Sequence, residues 1–189
     1  MVGNNAKKLI LLRHAKSAWP AVPDHERPLA GRGRRDAPAM GRWLRDAGHA
    51  PDHVVCSTAR RARETWELVR DGLQATPSVT FDDRVYQASP AELLGLVRSA
   101  AAATRTLLIV GHDPAIPELA VTLADAAANS DAERSAAVNR MTAKFPTAAV
   151  AILQGTGSWG RLRPGSMRLT WFVTPRDLRT SGTPGSKAK

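Results

Sequence analysis

At 189 residues, with 43% hydrophobic and 23% charged residues, the chain is long enough for one domain with a real hydrophobic core and too short for two full ones. A single cysteine, Cys56, excludes an internal disulfide and a cysteine-rich metal site, and no apolar run approaches the roughly 20 residues that span a bilayer. The formal net charge of +10 favours anionic partners (phosphorylated substrates, nucleic acid or acidic protein surfaces) against a background of solvated surface arginines.

The opening MVGNNAKK has no long apolar core of the kind a signal peptide needs, so a cytoplasmic location is expected. Lys8–Leu12 reads as a short buried strand. Gly33–Ala47 follows as a helix, with Ala37, Met40, Trp43, Leu44 and Ala47 near helical spacing and Gly48 as its stop. A second strand at His53–Cys56 leads into a helix from Ala59 to Gly72, and Trp43 and Trp66 are expected in the core. Val79–Phe81 is a third strand, Pro90–Ala102 a helix, Thr106–Val110 a fourth strand and Pro114–Ala127 a helix. Asp131–Lys144 is a further short helix, and Ala148–Leu153 and Met167–Val173 are the last strands. Strands alternating with helices predict an α/β fold, a three-layer sandwich whose central, mostly parallel sheet carries helices on both faces. A single domain is expected over residues 1–178. The tail 179–189, beginning at Arg179, is Gly, Ser, Pro and Lys without periodicity and is expected to be disordered.

Three strand-to-helix junctions share one format: LILL-RHAKS, VVCS-TARRARET and LLIV-GHDP. In open α/β sheets the ligand site lies at the carboxyl ends of the strands, so these junctions should bring Arg13, His14, an arginine of the Arg60/Arg61 pair and His112 to one pocket. Converging guanidinium forks suit a tetrahedral oxyanion. Asp113 can N-cap the helix that Pro114 opens, and Ser57 or Thr58 the helix carrying Arg60 and Arg61. The free N–H groups of such helix starts add to an anion site. His25, His49 and His53 read as plain surface residues. Asp24 and Arg27 are placed to pair and shape the loop beside the pocket.

LLRHAKS (Leu11–Ser17), STARRARET (Ser57–Thr65) and VGHD (Val110–Asp113) closely resemble the histidine phosphatase superfamily, also called the phosphoglycerate mutase-like family. RHAKS, RPLAGRGRRDAPAMGRWL (Arg27–Leu44) and KFPTAAVAIL (Lys144–Leu153) are most similar to its SixA-type phosphohistidine phosphatase branch, over about Lys8 to Leu178. The resemblance implies that His14 is the nucleophile that becomes phosphorylated. It implies that Arg13 and Arg61 bind phosphate, Arg60 pointing elsewhere, and that His112 stabilises the transferring phosphoryl group. Lys16 and Ser17, just after the nucleophile, are candidates for phosphate contact. A histidine nucleophile must be neutral, with one ring nitrogen held by a hydrogen bond, and the neighbouring arginines are expected to disfavour its protonation. Covalent catalysis then splits hydrolysis into transfer to His14 and attack by water. No cofactor is called for, and no cluster of carboxylates and histidines is spaced to hold a metal.

Two departures from the family pattern bear on substrate. RHA replaces the commoner RHG, at some loss of backbone freedom around Ala15. The L-x-E stretch that supplies the acid in ester-cleaving members reads Asp82-Asp83-Arg84-Val85-Tyr86-Gln87, so the acid position falls on Gln87 or on Asp83, the candidate general acid. Asp83 has an alternative role, capping a turn or pairing with Arg84. Protonation of an alkoxide leaving group contributes about 10²–10⁴-fold, whereas a protonated imidazole leaves readily without it. The missing Glu therefore favours phosphohistidine on a protein as substrate. The alternatives are a small-molecule phosphomonoesterase of the same family and a non-catalytic binder of phosphate or nucleic acid. Only Trp43 interleaves the Arg32–Arg45 segment, which argues against a single-strand nucleic-acid platform, and no membrane partner is expected.

Overall fold

Period-two burial along the central strands sets the architecture. The computed structural model describes residues 6–124 and 132–180. Its strand β1 (Ala6–Arg13) sends Leu9 and Leu11 into one core cluster and Ile10 and Leu12 into the other. Strand β4 (Thr106–Gly111) does the same with Leu107 and Ile109 against Leu108 and Val110. Continuous apolar runs are what a sheet buried on both faces requires, because every second side chain meets a different helical layer.

One layer is α1 (Gly31–Asp46) and α2 (Arg60–Leu73), contributing Met40, Leu44, Trp66 and Val69. The other is α3 (Pro90–Arg98), α4 (Ala115–Leu123) and α5 (Ala132–Ala143), contributing Leu93, Val97, Ile116, Leu119 and Met141. Trp66 is fully buried and Trp43 packs partly buried against the same cluster. Helices α1 and α2 approach closely, since a Cβ on Gly41 would lie 2.1 Å from the Val69 carbonyl oxygen.

The remaining strands are β2 (His53–Ser57), β3 (Ser78–Asp82), β5 (Val150–Thr156) and β6 (Arg168–Val173), and the six are ordered β3-β2-β4-β1-β5-β6. The pairings β3–β2, β2–β4 and β4–β1 are parallel, and β1–β5 and β5–β6 antiparallel. This is the expected mostly parallel sheet, with a reversal at β5 that hydrophobic pattern does not encode. Register aligns the carboxyl ends of the parallel strands: Arg13 faces Gly111, Cys56 faces Val110, and Ser57 faces Asp82.

One boundary differs from expectation. The last described element is α6 (Pro175–Thr180), so Arg179 is helical, where a disordered tail was expected to begin. Its guanidinium lies 2.9 Å from the buried Asp36 carboxylate, an anchor that sequence spacing does not reveal. The rest of that tail, 181–189, lies outside the described residues, as do Asp131 and 125–127 of two expected helices. Among the described residues no helix is long and apolar enough to cross a membrane.

Candidate active site

Strand β1 ends on Arg13, and the ladder continues one step as the His14 N–H donates to the Gly111 carbonyl at 2.9 Å. The loop before β5 closes the other side. Ala148, at φ 61°, points its N–H at the carbonyls of both Arg13 and His14, each at 3.1 Å, and the Arg13 N–H reaches Ala149 O at 3.2 Å. A left-handed backbone is unusual for alanine, and here it lets one donor serve both carbonyls flanking the histidine.

His14 is buried, and its Nδ1–H donates to the Ala15 carbonyl at 2.8 Å. A carbonyl only accepts, so this bond places the proton on Nδ1 and leaves the Nε2 lone pair available. The Ala15 N–H in turn donates to Thr65 Oγ1 at 2.9 Å, while the Thr65 hydroxyl donates to Arg61 O at 2.6 Å. One buried threonine on α2 thus ties the histidine loop to the helix that carries Arg61. The ring's pKa is lowered to about 3, first by burial and then by His112, Arg61 and Arg13, with the Ala15 bond opposing. Neutrality of His14 was expected from the arginines; desolvation is the larger cause.

His112 follows β4, and its ring centroid lies 5.1 Å from that of His14. Its Nε2 is 2.7 Å from Ser57 Oγ, and its pKa falls to about 4, chiefly through burial and then Arg61. Its Nδ1 is buried with no protein partner among the described residues, so it is the ring nitrogen left to meet a ligand oxygen. Arg13 donates from Nη1 to Phe145 O at 2.6 Å and sits 3.6 Å from Asp113. Its Nε is buried and likewise unpartnered. Arg61, also buried, donates to the backbone oxygen of Asp24 at 2.7 Å and to Asp24 Oδ2 at 3.0 Å. Arg60 points away to Glu64.

The four residues expected at one pocket are therefore together at one sheet edge. The helix caps are not as expected. Pro114, not Asp113, occupies the N-cap of α4, and Asp113 turns to Arg13 instead. Ala59 is the N-cap of α2, without a side-chain bond; Ser57 serves His112 and Thr58 donates to Asp83 at 2.5 Å. Asp82, rather than Asp83, caps the turn and pairs with Arg84, at 2.7 Å. Asp83 instead meets Thr58, whose oxygen is also 3.0 Å from His25 Nε2. Gln87, the other candidate acid position, takes a left-handed backbone at φ 59°. Ser17 is buried and accepts from Arg27 Nη2 at 2.7 Å, while Lys16 is exposed.

Asp24 and Arg27 do pair, at 2.8 Å. Tyr86 joins them unannounced: its hydroxyl donates to Asp24 Oδ2 at 2.9 Å, and its ring stands edge-on to both His25 and His112. His25 is thus part of the rim and His49 is buried beside Lys8, and neither is the plain surface residue expected. A cleft of about 660 Å³ adjoins Arg13 and Asp113, walled by Pro117, Met141 and Phe145 among others. Two arginines, a neutral histidine with a free Nε2 and a second histidine with an unsatisfied Nδ1 can bind a tetrahedral dianion and accept its phosphorus.

Residues 9–102 match the model of the histidine phosphatase superfamily (branch 1). An uncharacterised protein of Mycobacterium tuberculosis is 41% identical over 166 residues, covering 87% of this chain and 100% of that protein. A solved structure from Nakamurella multipartitia, assigned as a phosphohistidine phosphatase SixA, is 36% identical with a TM-score of 0.77, over 90% of this chain and 96% of its own. A similarly assigned structure from Agrobacterium tumefaciens is 26% identical with a TM-score of 0.71, over 89% of this chain and 98% of its own. Agreement along nearly the whole length of these relatives makes the chain a member of the histidine phosphatase superfamily, grouped with its SixA-like proteins.

Proposed function

We propose that this protein removes phosphate from phosphohistidine on a protein, through a phosphohistidine intermediate of its own on His14. The observation that carries the reading is the state of that ring. Nδ1 is committed to the Ala15 carbonyl, burial keeps the imidazole neutral, and Nε2 lies in a pocket with Arg13, Arg61 and His112. In this mechanism Nε2 attacks phosphorus while Arg13 and Arg61 hold the equatorial oxygens, and His112 Nδ1 meets the oxygen where charge gathers. Water then cleaves the N–P bond to His14, releasing phosphate and restoring the neutral ring.

The protein substrate is favoured by the rim. Asp83 accepts the Thr58 hydroxyl, and Asp24 is held well below the usual carboxylate range by Arg27, Tyr86 and Arg61, so Asp24 does not suit proton donation to an alkoxide. The rim also presents an aromatic surface: Trp19 is 77% exposed, with the Arg27 guanidinium 3.1 Å from its ring centre. Asp113, beside His112 and half-exposed, favours the second reading, a small-molecule phosphomonoesterase, because a carboxyl there can serve as an acid. A panel of phosphohistidine protein, phosphoserine peptide and aryl phosphate separates them. The first reading expects phosphohistidine to be preferred and all turnover lost in His14→Ala, with radiolabel trapped on the wild type under alkaline quench. Ester hydrolysis as fast as phosphohistidine cleavage and sensitive to Asp113→Asn would instead establish the second.

A further inference from the structure

A carboxylate set in the wall of a phosphate pocket repels the ligand and therefore needs a reason. Asp24 is that carboxylate: its Oδ2 accepts from Arg61, one of the two arginines proposed to hold the phosphoryl group, while its backbone oxygen accepts a second Arg61 N–H. Its partners come from separate parts of the chain. Arg27 Nη1 donates to Oδ1 at 2.8 Å, and Arg61 Nη2 and the Tyr86 hydroxyl donate to Oδ2 at 3.0 and 2.9 Å. An ionised carboxylate offers about four acceptor positions, so one remains on Oδ1, and the side chain is 50% exposed. Arg61 gives Asp24 two of its five N–H groups, which leaves donors for a phosphoryl group. Both can act at once.

We infer that the open Oδ1 position of Asp24 receives the N–H of a nitrogen-linked leaving group, so that the site selects phosphoramidates over phosphate esters. This rests on the phosphohistidine reading above and specifies how that substrate is chosen. In the protonated form of a phosphohistidine, the ring nitrogen not bound to phosphorus carries a proton and the ring is cationic. Asp24 accepts that N–H and holds the ring in its protonated form. His14 Nε2 then forms its bond to phosphorus as the substrate N–P bond breaks. The electron pair of the broken bond stays on the substrate nitrogen, and neutral imidazole leaves with its other proton in place. No proton is transferred, so no general acid is required. An ester leaves as an alkoxide with no N–H to offer, and it meets only the repulsion of the carboxylate.

The charged and titratable groups facing Asp24 are Arg27, Arg61, Tyr86, His25 and His112. The two guanidinium groups keep the carboxylate ionised across the range in which an imidazolium titrates, so it acts as a fixed counter-charge to the substrate ring. Holding the ring protonated extends cleavage to higher pH. An opposite charge within about 4–6 Å shifts a titrating group by one to three units.

The test compares wild type, Asp24→Asn and Asp24→Glu on a phosphohistidine protein and an aryl phosphate across pH 6–9. Loss of Arg61 anchoring lowers both substrates together. The inference expects a further loss of about tenfold in kcat/KM on phosphohistidine relative to the aryl phosphate in Asp24→Asn. The alkaline limb for phosphohistidine should move down by about one pH unit, and Asp24→Glu should recover part of both effects. Equal losses on the two substrates with an unmoved alkaline limb would make Asp24 a structural partner of Arg61 alone and overturn the inference, leaving the phosphohistidine reading intact. A wild type that cleaves the aryl phosphate and leaves phosphohistidine untouched overturns both.

Discussion

Thr65 offers the sharpest test of how the histidine loop is held. It is fully buried, accepts from the Ala15 N–H at 2.9 Å, and donates to Arg61 O at 2.6 Å. Valine has nearly the same shape but no hydroxyl, so Thr65→Val leaves a buried N–H without a partner, at a cost of about 1–3 kcal/mol. For a chain of this size each kcal/mol moves Tm by roughly 2–4 °C, giving an expected fall of roughly 2–12 °C. Thr65→Ser keeps the hydroxyl and loses one methyl, costing about 0.5–1.5 kcal/mol. Stability alone therefore separates the two poorly; turnover separates them well. Ala15 supplies the carbonyl that fixes the His14 tautomer, and losing about 1.4 kcal/mol of transition-state stabilisation is tenfold in rate. Thr65→Val is expected to lose about tenfold in kcat on an aryl phosphate, and Thr65→Ser to stay near wild type. Equal kcat values for the two variants would refute the claim that this hydroxyl positions His14 for the proposed attack.

Acid stability follows from three rings. His14, His49 and His112 have pKa values lowered from 6.5 to about 3, 4 and 4, mainly by burial, so they are neutral when folded and take up protons once unfolded. Their contribution is fully present above about pH 6.5 and is lost as pH falls toward 4. A urea midpoint that stays flat from pH 7 to pH 4.5 would contradict this. Gly33 faces the loop after His14, where an added Cβ would lie 2.3 Å from Lys16 O. Gly33→Ala should cost about 1–3 kcal/mol and lower the urea midpoint, and an unchanged midpoint would show that the α1 contact yields freely. Ser57→Ala removes the partner of His112 Nε2, and a fall of about tenfold in kcat with KM little changed is expected; steady-state kinetics on an aryl phosphate would show it.

Sequence pattern placed the candidate site residues at one sheet edge because they sit where chain direction and strand end coincide. Arg13, His14 and His112 each follow an apolar run, and the register that aligns Arg13 with Gly111 turns three local observations into one place. Arg61 was legible from its spacing after Ser57. What holds these groups was not legible. Thr65 meets Ala15 across 50 residues, Tyr86 meets Asp24 across 62, and Ser57 meets His112 across 55. Nothing local in a threonine on an amphipathic helix announces a buried acceptor. The two adjacent aspartates show the same limit. Asp82 ends β3 opposite Ser57 and bonds Arg84, which leaves Asp83 to reach Thr58, and only the strand register decides between them. Asp113 had a local rationale as a cap, but Pro114 takes that position and the carboxylate pairs with Arg13.

The division of labour in the pocket explains why both histidines are buried. If the arginines alone suppressed protonation of His14, phosphate binding would undo the effect, because a dianion between Arg13 and Arg61 cancels their field at the ring. Desolvation is indifferent to that cancellation and grows when a ligand displaces water. It is also the first cause of the low pKa at His14 and at His112 alike. On the proposed mechanism His14 therefore stays neutral through binding, when the anion most favours a proton. The arginines are released from guarding the ring and can spend their donors on the phosphoryl oxygens and on the anchors at Phe145 and Asp24. In the proposed mechanism, a pocket built this way keeps the Nε2 lone pair of His14 available for attack on phosphorus.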